Sequence, residues 1–237
     1  MPKINVYLPD DLADAVRETG LPVSPICQRA LEQAVRRITT IRQAVLSDID
    51  PAWPAERLPS FTARLIAALN LAASRAREAG AASVTTGDLL HGLLTEGNNL
   101  GLQILSAMDV APESLTAPST SETPAAPGGL RFSAAAAVAL ELSVGEAIGF
   151  GHNYVGCEHL LIGLAAEPDG AAGDLLRSRA VDGKAARRTV AAAVAGYAHL
   201  RATTADPAAT PPALLNALRA ELAPLVQRIE RLEGRMN

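Results

Sequence analysis

Three side chains able to bind a metal or attack an electrophile lie within eight residues of one another: His152, Cys157 and His159, with Glu158 between the last two. Imidazole and thiolate are ordinary zinc ligands, but this spacing matches no standard structural set and no fourth ligand accompanies it. A thiol at a helix N-terminus can have a lowered pKa, so Cys157 reads either as a reactive thiol or as a neutral replacement in a buried cap. Glu158 falls in the first turn of the helix that opens at Cys157, where the helix dipole tolerates a buried carboxylate. No Gly-x-x-x-x-Gly-Lys-Ser/Thr loop occurs, and the nearest match, Gly183-Lys184, lacks both the upstream glycine and the hydroxyl residue. No nucleophile–base pair, metal set or phosphate cradle can be assembled, so the expectation is a binding protein that is not an enzyme and uses neither metal nor cofactor.

The elements that must position these residues come in two copies. Phe61 aligns with Phe132, 71 residues on. The same register pairs Leu69 with Leu140, Ala76 with Ala147, Gly80 with Gly151, Val84 with Val155, Leu89 with Leu160 and Leu90 with Leu161. It continues without a gap through Gly92/Gly163, Leu93/Leu164, Glu96/Glu167, Leu105/Leu176 and Val110/Val181. Each copy reads as a helix from its Phe to its Gly, a short turn, and a second helix through the paired leucines. Two such units bury their apolar faces on each other, which predicts one pseudo-symmetric helical domain over 60–200, with repeats at 60–111 and 131–200. Pro112, Pro118, Pro124 and Pro127 mark a flexible linker at 112–130.

The first segment, 1–48, is of another kind. Lys3-Ile4-Asn5-Val6-Tyr7-Leu8 alternates polar and apolar residues, as a half-buried strand does. Pro9-Asp10-Asp11 opens a helix that stops at Gly20. Ser24-Pro25 then predicts a restart, with Ser as N-cap and Pro at the first helical position. A lone strand needs a partner, most simply the same strand of a second chain, so a homodimer is expected.

The stretch Gly151-His152-Asn153-Tyr154-Val155-Gly156-Cys157-Glu158-His159-Leu160-Leu161-Ile162-Gly163-Leu164 closely resembles the signature of the Clp repeat found in the N-terminal domain of ClpA/ClpC-type unfoldases. The openings Phe61-Thr62 and Phe132-Ser133 resemble that family's as well. The resemblance implies an all-α domain that binds adaptors, substrates or peptides without catalysis, and components of the Clp protease as partners. It implies that Glu158 helps to recognise phosphorylated arginine, while Gly87 stands at the matching place in the first copy. It further implies a face for peptides or cyclic peptide antibiotics, as in the actinobacterial ClpC-type domain, lined here by Phe132, Glu141 and Tyr197.

The first 45 residues resemble a ribbon-helix-helix domain, the fold of many small bacterial repressors. In such a dimer Ile4, Val6 and Leu8 face the core, while Lys3, Asn5 and Tyr7 face outward. Lys there can read guanine and Asn adenine, and the amides around Ser24 can take a phosphate of a DNA operator. The six bases of residues 1–45 against five acids give little of the positive excess a DNA-binding domain usually shows, so dimerisation alone is the competing reading.

Composition agrees with a mainly α fold. Of 237 residues 49% are hydrophobic, yet only three Phe, three Tyr and one Trp are aromatic, so the apolar content is mostly helix-forming Ala and Leu with Val. The net charge of −4 gives no global basic field, and no apolar run approaches a membrane span. A cytoplasmic protein is expected. Leu215, Leu218, Leu222, Leu225, Ile229, Leu232 and Met236 form a heptad seam in a C-terminal helix at 213–236, either a coiled coil between chains or a strap on the body. Together these readings predict a Clp repeat receptor with a DNA-binding, self-repressing head, or alternatively an adaptor of the Clp protease whose head only dimerises.

Overall fold

The structure is a computed structural model describing residues 4–49, 57–119 and 129–204, with 196–204 as backbone only. The chain divides into two compact units, 1–189 and 190–237, and the account below concerns the first. Its elements are α1 (Asp10–Thr19), α2 (Val23–Val45), α3 (Ala63–Glu78), β1 (Ser83–Val84), α4 (Thr86–Glu96), α5 (Leu100–Ala107), β2 (Arg131–Phe132), α6 (Ala134–Gly149), α7 (Cys157–Ala166), α8 (Ala171–Ser178) and α9, which begins at Gly183.

The register of 71 governs the backbone in detail. Thr62 caps α3, its hydroxyl accepting from the Leu65 N–H, and Ser133 caps α6 through the Ala136 N–H. Both helices end in the same left-handed glycine, Gly80 (φ 64°) and Gly151 (φ 72°). After each, a 2.9 Å bond returns to the helix, from Ala81 N–H to the Ala76 carbonyl and from His152 N–H to the Ala147 carbonyl. Two parallel pairings cross between the copies. Val84 pairs with Phe132, and Phe61 pairs with Val155. Each pairing is the other with the repeats exchanged, which is the mark of a pseudo-twofold axis.

Packing follows the same exchange. Within each copy the long helix lies on the next one, α3 on α4 and α6 on α7, and Gly92 and Gly163 sit at the closest approach. A Cβ at either would run into a carbonyl oxygen, of Ala68 or Ala139. The short third helices cross over, α5 against α7 and α8 against α4. Leu69/Leu140, Leu89/Leu160, Leu90/Leu161, Leu93/Leu164 and Leu105/Leu176 are all buried, each worth about 1.5–3 kcal/mol of transfer from water. The doubled helical body is therefore as expected.

The N-terminal segment departs from expectation. Ile4–Pro9 belongs to no strand: among the described residues no segment pairs with it, and a lone strand is not stable. Helix α1 ends at left-handed Gly20 as the sequence suggested, but it buries no residue. Helix α2 starts at Val23 with Pro22 as N-cap, so Ser24 and Pro25 lie inside its first turn and no side chain caps it. Pro25 is accommodated there because the first-turn N–H groups have no intrahelical acceptor to lose. Only Ile41, Ala44 and Val45 of α2 are buried, where the helix leans on α6.

The first part of the expected flexible linker is packed down. Leu115 is buried, and the Pro118 carbonyl accepts from Arg75 at 2.9 Å. The C-terminal heptads lie outside the described residues.

Candidate functional site

The motif loop leaves α6 at Phe150, turns at Gly151 and enters α7 at Cys157, with Val155 pinned to Phe61 beneath it. His159 is fully buried. Its Nδ1 accepts the Gly156 N–H at 2.9 Å, so the proton sits on Nε2 and is donated to His152 Nδ1, also at 2.9 Å. Burial first, then His152 and the Arg37 guanidinium, push the His159 pKa down to about 3. The rings of Phe150, His152 and Tyr154 stack in sequence, with centroids 5.4 and 5.0 Å apart. These histidines form a neutral structural pair, and among the described residues no group of three His, Cys, Asp or Glu side chains could hold a metal ion.

Glu158 is 4% exposed. Its carboxylate folds back over Gly156, where a Cβ would collide with both oxygens, and it accepts a hydrogen bond from the Tyr154 hydroxyl. Burial raises its pKa against those hydrogen bonds. In the first copy the roles are redistributed. Thr85 and Asp88 form a reciprocal capping box, the Asp88 carboxylate accepting from the Thr85 N–H at 2.8 Å. Gly87, at the Glu158 position, lies under the Pro118 backbone. Cys157 is buried, and burial followed by the Glu158 and Glu96 charges pushes its thiol up to about 12. The reactive-thiol reading is thereby overturned: at neutral pH the group is a protonated core thiol.

Two grooves related by the same register lie on the body. The first, about 590 Å³, is lined by Arg75, His91, Thr95, Gly97, Glu113 and Thr116 among others. The second, about 740 Å³, is lined at the corresponding places by Glu146, Ile162, Ala166, Pro168, Lys184 and Arg187. Charge is reversed at two matched places: Arg75 and Glu113 line the first groove, Glu146 and Lys184 the second. In the first groove Arg75 is committed to the Gly87 and Pro118 carbonyls. In the second, Arg187 bonds Glu146 and lies 4.9 Å over the Phe150 ring. Lys184 enters no ion pair among the described residues, and the apolar floor of Ile162, Ala165 and Pro168 runs past it.

The residues expected from sequence do not converge. Asn5 and Tyr7 are exposed, Tyr7 by 94%, and Ser24 is exposed in the first turn of α2. Lys3 and the Tyr197 side chain lie outside the described residues. Phe132 is half-buried in β2, Glu141 bonds Arg42 at 3.0 Å on the flank of α6, and Glu158 is interior. Neither groove takes in Phe132, Glu141 or Glu158. Sequence reading missed Lys184, Arg187 and Ile162, although aligning charges as well as apolar positions at the offset of 71 shows Arg75 against Glu146 and Glu113 against Lys184.

Comparison with known proteins places this body. The Clp repeat (R) N-terminal domain model matches residues 60–179 and 131–224. A ClpA homolog of the Clp protease ATP-binding subunit from Porphyra purpurea is 36% identical over 134 residues, covering 55% of this chain and 16% of that protein. The corresponding homolog from Guillardia theta is 30% identical over 185 residues, 73% of this chain and 23% of the other. The chain thus spans less than a quarter of the length of these relatives. Among solved structures, the N-terminal domain of the ClpD chaperone from Arabidopsis thaliana superposes with a TM-score of 0.41 at 22% identity, covering 57% of this chain and 95% of that one. No helix among the described residues is long and apolar enough to cross a membrane. With both copies of the motif matched across more than half its length, the chain belongs to the Clp repeat N-terminal domain family.

Proposed function

We propose that the chain is a non-catalytic, cytoplasmic capture protein. Its Clp body takes extended peptide in the repeat-two groove, and its N-terminal segment pairs two chains into a head that touches DNA. The observation that carries capture is the groove itself: a cavity of about 740 Å³ with an apolar floor beside the Lys184 ammonium, which enters no ion pair among the described residues, and the Glu146–Arg187 pair. An apolar floor rimmed by charges of both signs, with Asp174 and Asp182 beside Arg177, Lys184 and Arg187, suits a peptide with apolar side chains and an acidic group placed to meet Lys184. Cyclic peptides and phosphoarginine, the ligands the family resemblance implies, are narrower versions of the same reading. The buried state of Glu158 gives phosphoarginine less support than the groove gives a peptide.

The dimeric head rests on a separate observation. Of the thirteen large apolar side chains exposed among the described residues, ten lie between Ile4 and Val35. Ile4 (80%), Val6 (65%), Leu12, Ile26 and Leu31 have no cover within the chain, and a second copy of the same segment supplies one. Asn5, Tyr7 and Lys3 on the ribbon, with Ser24 at the head of α2, are the proposed DNA contacts. An adaptor of the Clp protease with a purely dimerising head is the second reading, favoured by the near-neutral charge of residues 1–45.

A gel shift with DNA from the protein's own upstream region separates the two. The repressor reading expects retardation that weakens on Asn5→Ala while sedimentation still reports a dimer. A dimer that retards no DNA even at low salt leaves only the adaptor.

A further inference from the structure

Arg37 projects from α2 onto the motif loop, its Nη1 donating to the His152 carbonyl at 2.6 Å. Its Nε and Nη2 are buried from solvent and find no hydrogen-bond acceptor among the described residues. A guanidinium stays charged at any physiological pH, so two donor atoms of this half-buried side chain are out of solvent with their hydrogen bonds unmade. Such groups are rarely left so in a folded protein, and each one points to what it is built to meet.

Two cavities share this residue as a wall. One, of about 120 Å³, is lined by Arg36, Arg37, Thr40 and Ser60 over an apolar floor that includes Phe61 and Val144. The other, of about 350 Å³, is lined by Gln33, Arg37, His152 and Asn153 together with alanines, Gly151 and Ile148. No carboxylate lines either cavity among the described residues, so nothing in these walls neutralises the cation. Two guanidinium groups and two hydroxyls around the smaller space form a donor set that a tetrahedral oxyanion satisfies.

We infer that Arg37 is the centre of an oxyanion site of the phosphate class, formed between α2 and the body with Arg36, Thr40 and Ser60. The family model's match does not assign it, because α2, which carries Arg36, Arg37 and Thr40, precedes the matched residues 60–224. The anion supplies the acceptors that Nε and Nη2 lack, and it bonds at once to the head helix and to the body. An occupied site therefore holds α2 against α6 and the motif loop. The inference is independent of peptide capture and of DNA binding.

The test is calorimetric titration of the full chain with inorganic phosphate, at constant ionic strength, alongside its melting temperature. The site predicts saturable binding and a rise in melting temperature with phosphate, with sodium acetate at equal ionic strength giving a much smaller rise. Arg37→Gln weakens phosphate affinity by about tenfold or more, as the loss of a charge-assisted donor set should. Ser60→Ala, which leaves the cation in place, weakens it by about threefold and keeps the assignment testable should Arg37→Gln fold poorly. Absence of saturable heat and of any melting shift shows that those N–H groups meet no anion and overturns the site. Phosphate affinity unchanged in both variants overturns it as well.

Discussion

At the scale of single residues the motif loop is a store of pH dependence. His159 in the folded chain titrates near 3, against 6.5 for a free imidazole. Between those values the unfolded chain binds a proton that the folded chain refuses, so stability is fully present above 6.5 and is lost as pH falls through that window. His152, lowered by burial and Arg37, acts in the same direction. Glu158 acts oppositely: its raised pKa costs stability as pH rises past the ordinary carboxylate range. The imidazoles are expected to dominate between pH 6.5 and 5, so the urea midpoint should fall on acidification from pH 7 to pH 5. His159→Gln, whose amide oxygen can still accept the Gly156 N–H, should flatten that dependence. A variant with the undiminished slope of the parent would remove His159 from the account. The sequence made this cluster visible but not its character. Spacing showed two histidines, a thiol and a carboxylate close together, whereas only burial tells that the thiol is protonated and that the histidines satisfy each other.

Elements were legible to the extent that they repeat. One offset fixed the helices of both copies, because Gly80/Gly151 end them and Gly92/Gly163 let them touch, and these roles admit few other residues. Gly163→Ala should cost about 1–3 kcal/mol by driving a methyl group into the Ala139 carbonyl, measured as a loss in unfolding free energy. Gly145→Ala, where an added Cβ meets open space inside α6, should instead leave stability unchanged or raise it by up to about 1 kcal/mol. Equal effects at the two sites would contradict the close packing of α6 on α7. The start of α2 was misread from Ser24-Pro25, since capping preference is a local rule and the chain turned into the helix two residues earlier, after Pro22. The strand expected at residues 3–8 is not formed over residues 4–8, because alternation of polar and apolar residues is a local signal and no other segment of the described chain pairs with these residues. Linker residues 115–118 read as loose from their prolines, yet Arg75 and the bare backbone at Gly87 hold them down.

For the whole molecule, the division of apolar surface is the guide. The doubled body buries its paired leucines completely, while the N-terminal segment leaves most of its large apolar residues from Ile4 to Val35 outside. That contrast predicts that the chain sediments as a dimer, and that Leu31→Asp yields a monomer whose body melts at the parent temperature. A monomeric parent at micromolar concentration would remove the head's role. The grooves were hidden from sequence because they are made by residues more than 20 positions apart, such as Ile162 and Lys184, brought together only when α9 starts beside α7. The copies also differ in what their grooves hold: Arg75 of the first bonds the chain's own backbone at Gly87 and Pro118, and on the proposed reading the second takes the backbone of another chain.

The central claim is capture in that second groove, and fluorescence anisotropy of a labelled, permanently unfolded carboxymethylated protein titrated with the full chain tests it most directly. The account predicts saturable binding that Lys184→Glu weakens by about tenfold, through loss of one attractive charge and gain of a repulsive one, while Phe132→Ala and Glu141→Ala leave it nearly unchanged. Binding indifferent to Lys184→Glu but abolished by Phe132→Ala would place capture on the other face and contradict the account.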